Sequence, residues 1–173
     1  MQLSEAIALI DNGRLQQHDK SIWADLGCGS GLFTHALSTW LAPESTVHAI
    51  DKASLHQLPN QFGKVIIDKA QLDFVKEELP LPSLDGILMA NSLHYVKDQI
   101  AFIKKTDKYL KKTGCFIIVE YDTESANPWV PYPLGFSSLK SLFTKAGYTS
   151  VSKLHERPSV YNSAMMYSAL IER

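Results

Sequence analysis

Paired cysteines are missing from this sequence. Of its 173 residues only Cys28 and Cys115 are cysteine, and their spacing matches neither a zinc-binding arrangement nor a disulfide framework. A reduced, cytoplasmic setting is therefore expected. Charge of either sign is also scarce in excess: 17 basic and 18 acidic side chains leave a formal net charge of -1. That balance lacks the basic surplus of a generic nucleic-acid binder. No uncharged apolar run approaches the length needed to span a bilayer, and the first residues, MQLSEAIALIDNGRL, do not read as a secretory signal. Clustered His, Asp and Glu spacings that would hold a metal are lacking, as are internal repeats and low-complexity tracts.

What is present is an ordinary globular composition, 45% hydrophobic, over a length suited to one domain spanning residues 1–173. Short apolar runs read as strands at Ser21–Leu26, Thr46–Ile50, Lys64–Ile67, Leu84–Ala90 and Cys115–Tyr121, each ending near Asp, Asn or Gly. Between most of them apolar residues recur at three and four. Leu32, Phe33, Ala36, Leu37, Trp40 and Leu41 form one stripe. Val96, Ile100, Ile103 and Leu110 form a second, closing toward Gly114, a C-cap neighbour. Leu139, Leu142, Phe143 and Ala146 form a third, opened by Ser137 or Ser138 and stopped by Gly147. Strand, helix, strand in repetition predicts an α/β fold: a mostly parallel sheet with right-handed crossovers and helices on both faces. Two last runs, Thr149–His155 and Asn162–Ile171, have no helix between them and are expected to pair antiparallel, giving seven strands. Cys28 follows one strand and Cys115 opens another, so they should lie at opposite edges of the sheet, too far apart for a disulfide.

Ligands of such sheets bind beyond the carboxyl ends of the strands. After the first strand comes Asp25-Leu26-Gly27-Cys28-Gly29-Ser30-Gly31, whose alternate glycines let a chain turn sharply and a ligand approach closely. The dinucleotide fingerprint fits in neither register: counting from Gly27 puts Leu32 at its last glycine position, and counting from Gly29 puts Thr34 there. The Lys and Ser or Thr of a phosphate loop are lacking as well. Asp25, at the mouth of the loop, would repel a pyrophosphate and attract an ammonium or other cation. A positively charged nucleoside is the ligand these residues suit.

These residues resemble the first motif of the class I S-adenosylmethionine-dependent methyltransferases, a likeness that extends from Trp23 to Ala146. The resemblance implies a Rossmann-like sheet, with S-adenosyl-L-methionine as methyl donor and S-adenosyl-L-homocysteine as product. It assigns Asp25, Gly27, Cys28, Gly29 and Gly31 to the donor loop. Asp51, in His48-Ala49-Ile50-Asp51, corresponds to the acid that takes both ribose hydroxyls, a bidentate, charge-assisted contact. Asp73-Phe74 resembles the adenine segment, and Asn91, in Ala90-Asn91-Ser92-Leu93-His94-Tyr95, the stretch that closes over the methionine part. Plain core packing for Phe74, and turn capping for Asp73 and Asn91, stand beside these roles.

The sulfonium already activates the methyl group, so the protein has to align a nucleophile and, where needed, remove its proton. His94, after the fourth strand, is the first candidate for that base, with a structural histidine as the alternative. On the acceptor side, Asn127-Pro128-Trp129-Val130-Pro131-Tyr132-Pro133 is stiffened by proline and carries two large aromatics suited to a pocket wall. Trp129, Tyr132, Arg157 and Tyr161 are the candidate acceptor contacts, Arg157 for a carboxylate or phosphate. Packing aromatics and a solvated arginine are the plain alternative.

The function these readings imply is methyl transfer to an oxygen or nitrogen of a small-molecule acceptor. An RNA or protein methyltransferase, or a family member that binds the nucleoside without turnover, are the competing readings. No membrane or nucleic-acid partner is expected, and the oligomeric state is left open. Asp51→Ala is expected to weaken S-adenosylmethionine binding by ~1–3 kcal/mol in a calorimetric titration, with the fold intact. Unchanged affinity would contradict the ribose role.

Overall fold

The structure is a computed structural model that describes residues 1–13, 15, 19–159 and 164–173. Its chain order is α1 (Leu3–Ile10), β1 (Ile22–Leu26), α2 (Leu32–Ser38), β2 (Thr46–Asp51), β3 (Gln61–Phe62), β4 (Val65–Gln71) and β5 (Leu84–Ala90). A 3-10 turn, Leu93–Tyr95, then leads to α3 (Gln99–Asp107), β6 (Leu110–Tyr121), α4 (Phe136–Ala146), β7 (Ser150–Pro158) and β8 (Met165–Glu172). The strands form one sheet of order β3-β4-β2-β1-β5-β6-β8-β7. Pairings from β4 through β6 are parallel, whereas β3 with β4, β6 with β8, and β7 with β8 are antiparallel. None of the described helices is long and apolar enough to cross a membrane.

The Rossmann-like α/β sheet and its antiparallel final pair agree with the sequence pattern, but the strand count is eight rather than seven. The extra strand, β3, is two residues long, too short for any periodicity to reveal. Two boundaries also move. β4 continues past Ile67 because it lies near the sheet edge, where Asp68 and Lys69 can sit among apolar neighbours without burial. The second helical stripe ends sooner than its spacing suggests: α3 stops at Asp107, and Leu110 through Gly114 belong to β6. Gly114 is therefore a strand residue, close to the register shift between Leu84 and Gly86 where β5 meets β6. For α4 the opening residue is Gly135 rather than a serine. Asp122 supplies the missing cap, accepting from the Phe136 N–H at 2.8 Å, while Ser138 turns to Glu124 at 2.6 Å.

Strand alternation divides the core into two layers. Trp23, Val47, Ala49, Leu88, Ile117 and Val119 face α1 and α2. Ala24, Leu26, Ile87, Met89, Phe116 and Ile118 face α3 and α4. Period two thus also decides where the charged members of these strands point. Asp25 falls on the α2 side with Trp23, and Glu120 falls on the opposite side with Phe116 and Ile118. Cys28 and Cys115 are both buried, and neither is in a disulfide.

The order of strands reverses at β1, which pairs with β2 on one side and β5 on the other. That pairing is tight: a Cβ added at Gly86 would lie 2.2 Å from the Trp23 ring. Gly86→Ala is accordingly expected to lower stability by ~1–3 kcal/mol through overpacking, read as a lower urea midpoint with an unchanged denaturant slope.

Candidate active site

The crevice beyond β1 and β5 is where the expected donor residues converge. Gly27, Gly29 and Gly31 all have positive φ, and the N–H groups of Gly27 and Cys28 both donate to the Ile50 carbonyl, at 2.8 and 3.1 Å. The loop is thereby pinned to the end of β2. At Gly29, with φ +53°, an added Cβ would meet nothing within 4 Å, so the backbone here borders open space. Cys28 is buried, and burial pushes its thiol pKa well up, aided by Asp25 and Asp51. It is a poor nucleophile in this state.

Asp25 differs from its expected place at an open mouth. It is fully buried beneath the loop, because alternation along β1 turns it toward α2, where the Thr34 hydroxyl donates to Oδ2 at 2.7 Å. Oδ1 is buried with no partner. Burial, opposed by the Thr34 bond and reinforced by Asp51, raises its pKa to about 7. Across the crevice Asn91 adopts φ +54° at the end of β5, and its Oδ1 is likewise buried without a partner. Two unsatisfied acceptors flanking one glycine loop suit a ligand that brings donors or positive charge.

Asp51 holds the other side. Its Oδ2 accepts from the Gly29 N–H and its Oδ1 from the Ala53 N–H, each at 2.8 Å. Each oxygen retains a further lone pair for a hydroxyl, and the carboxylate also restrains the loop. Asp51 borders a cavity of about 420 Å³ with Gly27, Asp73, Phe74, Asn91 and Ser92. Phe74 is both core and wall: it is buried, packs edge-to-face on Phe102 and lines this cavity. Asp73 Oδ1 accepts from the Val75 N–H at 3.1 Å and Oδ2 lies 3.5 Å from Lys76 Nζ. Of the sequence-derived donor residues, Gly27, Asp51, Asp73, Phe74 and Asn91 line this cavity and Gly29 binds Asp51, whereas Asp25 and Cys28 are buried and Gly31 packs toward Leu58. Ser92, whose hydroxyl donates to the Leu26 carbonyl at 2.6 Å, and Lys52 were not among them.

His94 is nearly inaccessible, 2% exposed. Its Nδ1 lies 2.6 Å from Glu120 Oε2, and its backbone N–H donates to Glu120 Oε1 at 3.1 Å. Glu120 is 1% exposed, so the pair is buried where the 3-10 turn that contains His94 meets β6. Glu120 was legible as the one charge in an otherwise apolar strand run, yet nothing in the sequence joined it to His94. A second cavity, of about 540 Å³, opens beside the imidazole. Trp129, Val130, Asn127, Tyr95 and Tyr121 line it, and Asn91 and Tyr95 border both cavities. Tyr132 does not line it. Instead its backbone N–H donates to the His94 carbonyl at 3.0 Å and its carbonyl accepts from Gln99, which ties the segment down.

Arg157 lies elsewhere. Its Nη2 donates to Glu5 Oε1 of α1 at 2.8 Å, and it borders a separate cavity of about 290 Å³ that meets the larger one only at Asn91 and Tyr121. The Arg157 hydrogen bond holds the Glu5 carboxyl below its usual range. Tyr161 lies outside the described residues.

Comparison with known proteins supplies the family. A family model described as a methyltransferase domain matches residues 24–116. No curated protein sequence matches the chain. Among solved structures, 1,6-didemethyltoxoflavin-N1-methyltransferase of Burkholderia thailandensis, with bound 1,6-didemethyltoxoflavin and S-adenosylhomocysteine, superposes with a TM-score of 0.71 at 16% identity. The match covers 99% of this chain and 78% of that one. Magnesium protoporphyrin IX methyltransferase of Synechocystis PCC 6803, with bound S-adenosylmethionine, gives 0.67 at 15% identity over 99% and 78%. A SAM-dependent methyltransferase of Aquifex aeolicus gives 0.62 at 18% identity over 99% of both chains. At these identities the likeness concerns the fold.

Burial of Asp25 makes stability depend on pH. Its folded pKa, about 7 against an ordinary 3.8, means that the native state holds a proton that the unfolded chain has released. The associated stability is fully present below pH 3.8 and lost as pH rises toward 7, on the order of 4 kcal/mol. Urea unfolding of the ligand-free protein at pH 4 and pH 7.5 should show this loss, and Asp25→Asn should reduce it. An identical pH slope in the variant would refute the assignment.

Proposed function

Because the chain belongs to the family of S-adenosylmethionine-dependent methyltransferases, we propose that it methylates an oxygen or nitrogen of a small-molecule acceptor, with His94 as general base. We also take residues 1–173 to form one domain, since the single sheet draws strands from β1 near the start to β8 at the end. The observation that carries the reading is the buried His94–Glu120 pair at the wall of a cavity that shares Asn91 and Tyr95 with the donor crevice. The relatives named above lend support to a small acceptor, since 1,6-didemethyltoxoflavin and magnesium protoporphyrin IX stand in their names.

S-adenosylmethionine, when bound, supplies a methyl group made electrophilic by its sulfonium. Asp51 would hold the ribose hydroxyls, and Asp25 and Asn91 would offer their unpaired oxygens to the amino-acid end. Gly29 would leave room for close approach of the donor. Phe74 and Asp73 would border the adenine. Of the acceptor-side residues, Trp129 would form the pocket wall, Tyr132 would act through the segment it anchors, and Arg157 would serve only an acceptor that reaches the neighbouring cavity.

Glu120 explains how a buried histidine can act as a base. Its Oε2 accepts the Nδ1 proton of His94, which leaves Nε2 as the acceptor of the neutral ring. When the imidazole takes a proton from the acceptor, the carboxylate already stands 2.6 Å away to balance the new charge. A positioned base of this kind contributes ~10²–10⁴ in rate. An acidic hydroxyl or a protonated ring nitrogen would use it, whereas an acceptor without a proton to lose would not.

His94→Ala is expected to reduce turnover by ~10²–10⁴ while S-adenosylhomocysteine affinity, measured by calorimetry, stays within about twofold. Glu120→Gln should slow turnover and shift its pH profile, and the double variant should lose little beyond His94→Ala. Turnover that survives His94→Ala would remove the base.

A further inference from the structure

We infer that the acceptor is an uncharged, planar aromatic molecule carrying its nucleophilic hydroxyl or nitrogen on the ring, bound between Tyr95, Tyr121 and Trp129. This inference rests on the proposed role of His94 and specifies the substrate class of the same site. The ring centroids of Tyr95 and Tyr121 lie 4.4 and 6.4 Å from that of His94. Any group within reach of the imidazole is therefore held among aromatic faces.

Trp129 completes the wall in an unusual condition. It is 79% exposed and Tyr95 is 49% exposed, so much apolar ring surface stands uncovered around one cavity mouth. Trp129 is nevertheless held in place. The Asn127 carboxamide oxygen accepts from the N–H groups of Trp129 and Val130 at 2.9 and 3.0 Å, and Asn127 and Val130 exchange two backbone hydrogen bonds at 3.1 Å. These bonds fix the backbone at Trp129, so its exposed indole has only side-chain rotation to lose when a flat ring covers it.

Charge decides against an ionic acceptor. Among the described residues lining this cavity, His94 is the only one that can carry charge. The nearby cations lie outside this lining: Lys52 lines the donor-side cavity with its Nζ 6.0 Å from the Tyr95 ring, and Arg157 borders the neighbouring cavity with Nη2 paired to Glu5. A carboxylate placed here would lose hydration against aromatic faces with only the imidazole to replace it, whereas a neutral ring meets stacking and edge contacts on several sides.

The cavity's volume, about 540 Å³, admits a two-ring probe. The test titrates 2-naphthol, its saturated counterpart decahydro-2-naphthol, and 2-naphthoate into the full chain with S-adenosylhomocysteine present, followed by calorimetry. 2-Naphthol is expected to bind about tenfold tighter than either analogue, a preference of the size that aromatic contacts supply. Trp129→Ala and, independently, Tyr95→Leu should each weaken it several-fold. Absent binding of 2-naphthol, equal or tighter binding of the saturated or the anionic analogue, or affinities indifferent to both substitutions would overturn the inference. S-adenosylhomocysteine affinity and the His94 dependence of turnover are measured on the same preparations. If those hold while the aromatic preference fails, the acceptor class alone is lost; if S-adenosylhomocysteine does not bind, the methyltransferase reading fails with it.

Discussion

Pairing of β1 with both β2 and β5 is the constraint from which the site follows. Chain connections leave those two neighbours in opposite directions, so a crevice must open beyond the carboxyl end of β1. The loop that enters it cannot drift, because Ile50 at the end of β2 accepts two of its N–H groups and Asp51 accepts a third. Asn91 approaches from β5, with its own N–H bonded to the Val119 carbonyl of β6 at 2.8 Å. Four neighbouring strands thus fix one ligand-sized space before any ligand arrives.

Two carboxyl groups are buried behind the site, Asp25 by the glycine loop and Glu120 by His94, and they are treated differently. Glu120 has both oxygens occupied, one by the His94 backbone N–H and one by the imidazole. Asp25 has one oxygen occupied by Thr34 and the other unsatisfied, and its burial raises its pKa. A buried acid with both oxygens bonded is satisfied where it stands, while one with an oxygen left unpaired is costly until something pairs with it. The left-handed backbone of Asn91 adds a second local cost at the same place. Such expense at a ligand crevice is consistent with a protein that is completed by what it binds.

The acceptor side is built by a different logic. The segment after β6 carries no regular structure, yet the Asn127–Val130 bridge, the Tyr132 bond to the His94 turn and the Asp122 cap of α4 hold it over the sheet. Backbone bonds set its position, which leaves Trp129 free to present its ring outward. Arg157, by contrast, spends its charge on Glu5 and fastens α1 to β7, a structural role beside its own smaller cavity.

Alternating strands and helices, the glycine loop after β1 and acidic residues at strand ends are local patterns, so the sequence alone determined the α/β fold and pointed to the crevice beyond β1, five of whose lining residues, Gly27, Asp51, Asp73, Phe74 and Asn91, it singled out. Period two even contained the burial of Asp25, although the residue's place in the motif suggested an open mouth. The two-residue β3, the early end of α3 and the pairing of Glu120 with His94 depend on contacts between distant segments, and no spacing encodes them. The same holds for Tyr95, Tyr121 and Trp129, which lie on three separate stretches and become one cavity only when β5, β6 and the following segment pack together. Local chemistry specifies what each strand end can do; only the tertiary structure decides which strand ends meet, because adjacency in the sheet is set by burial across the whole chain.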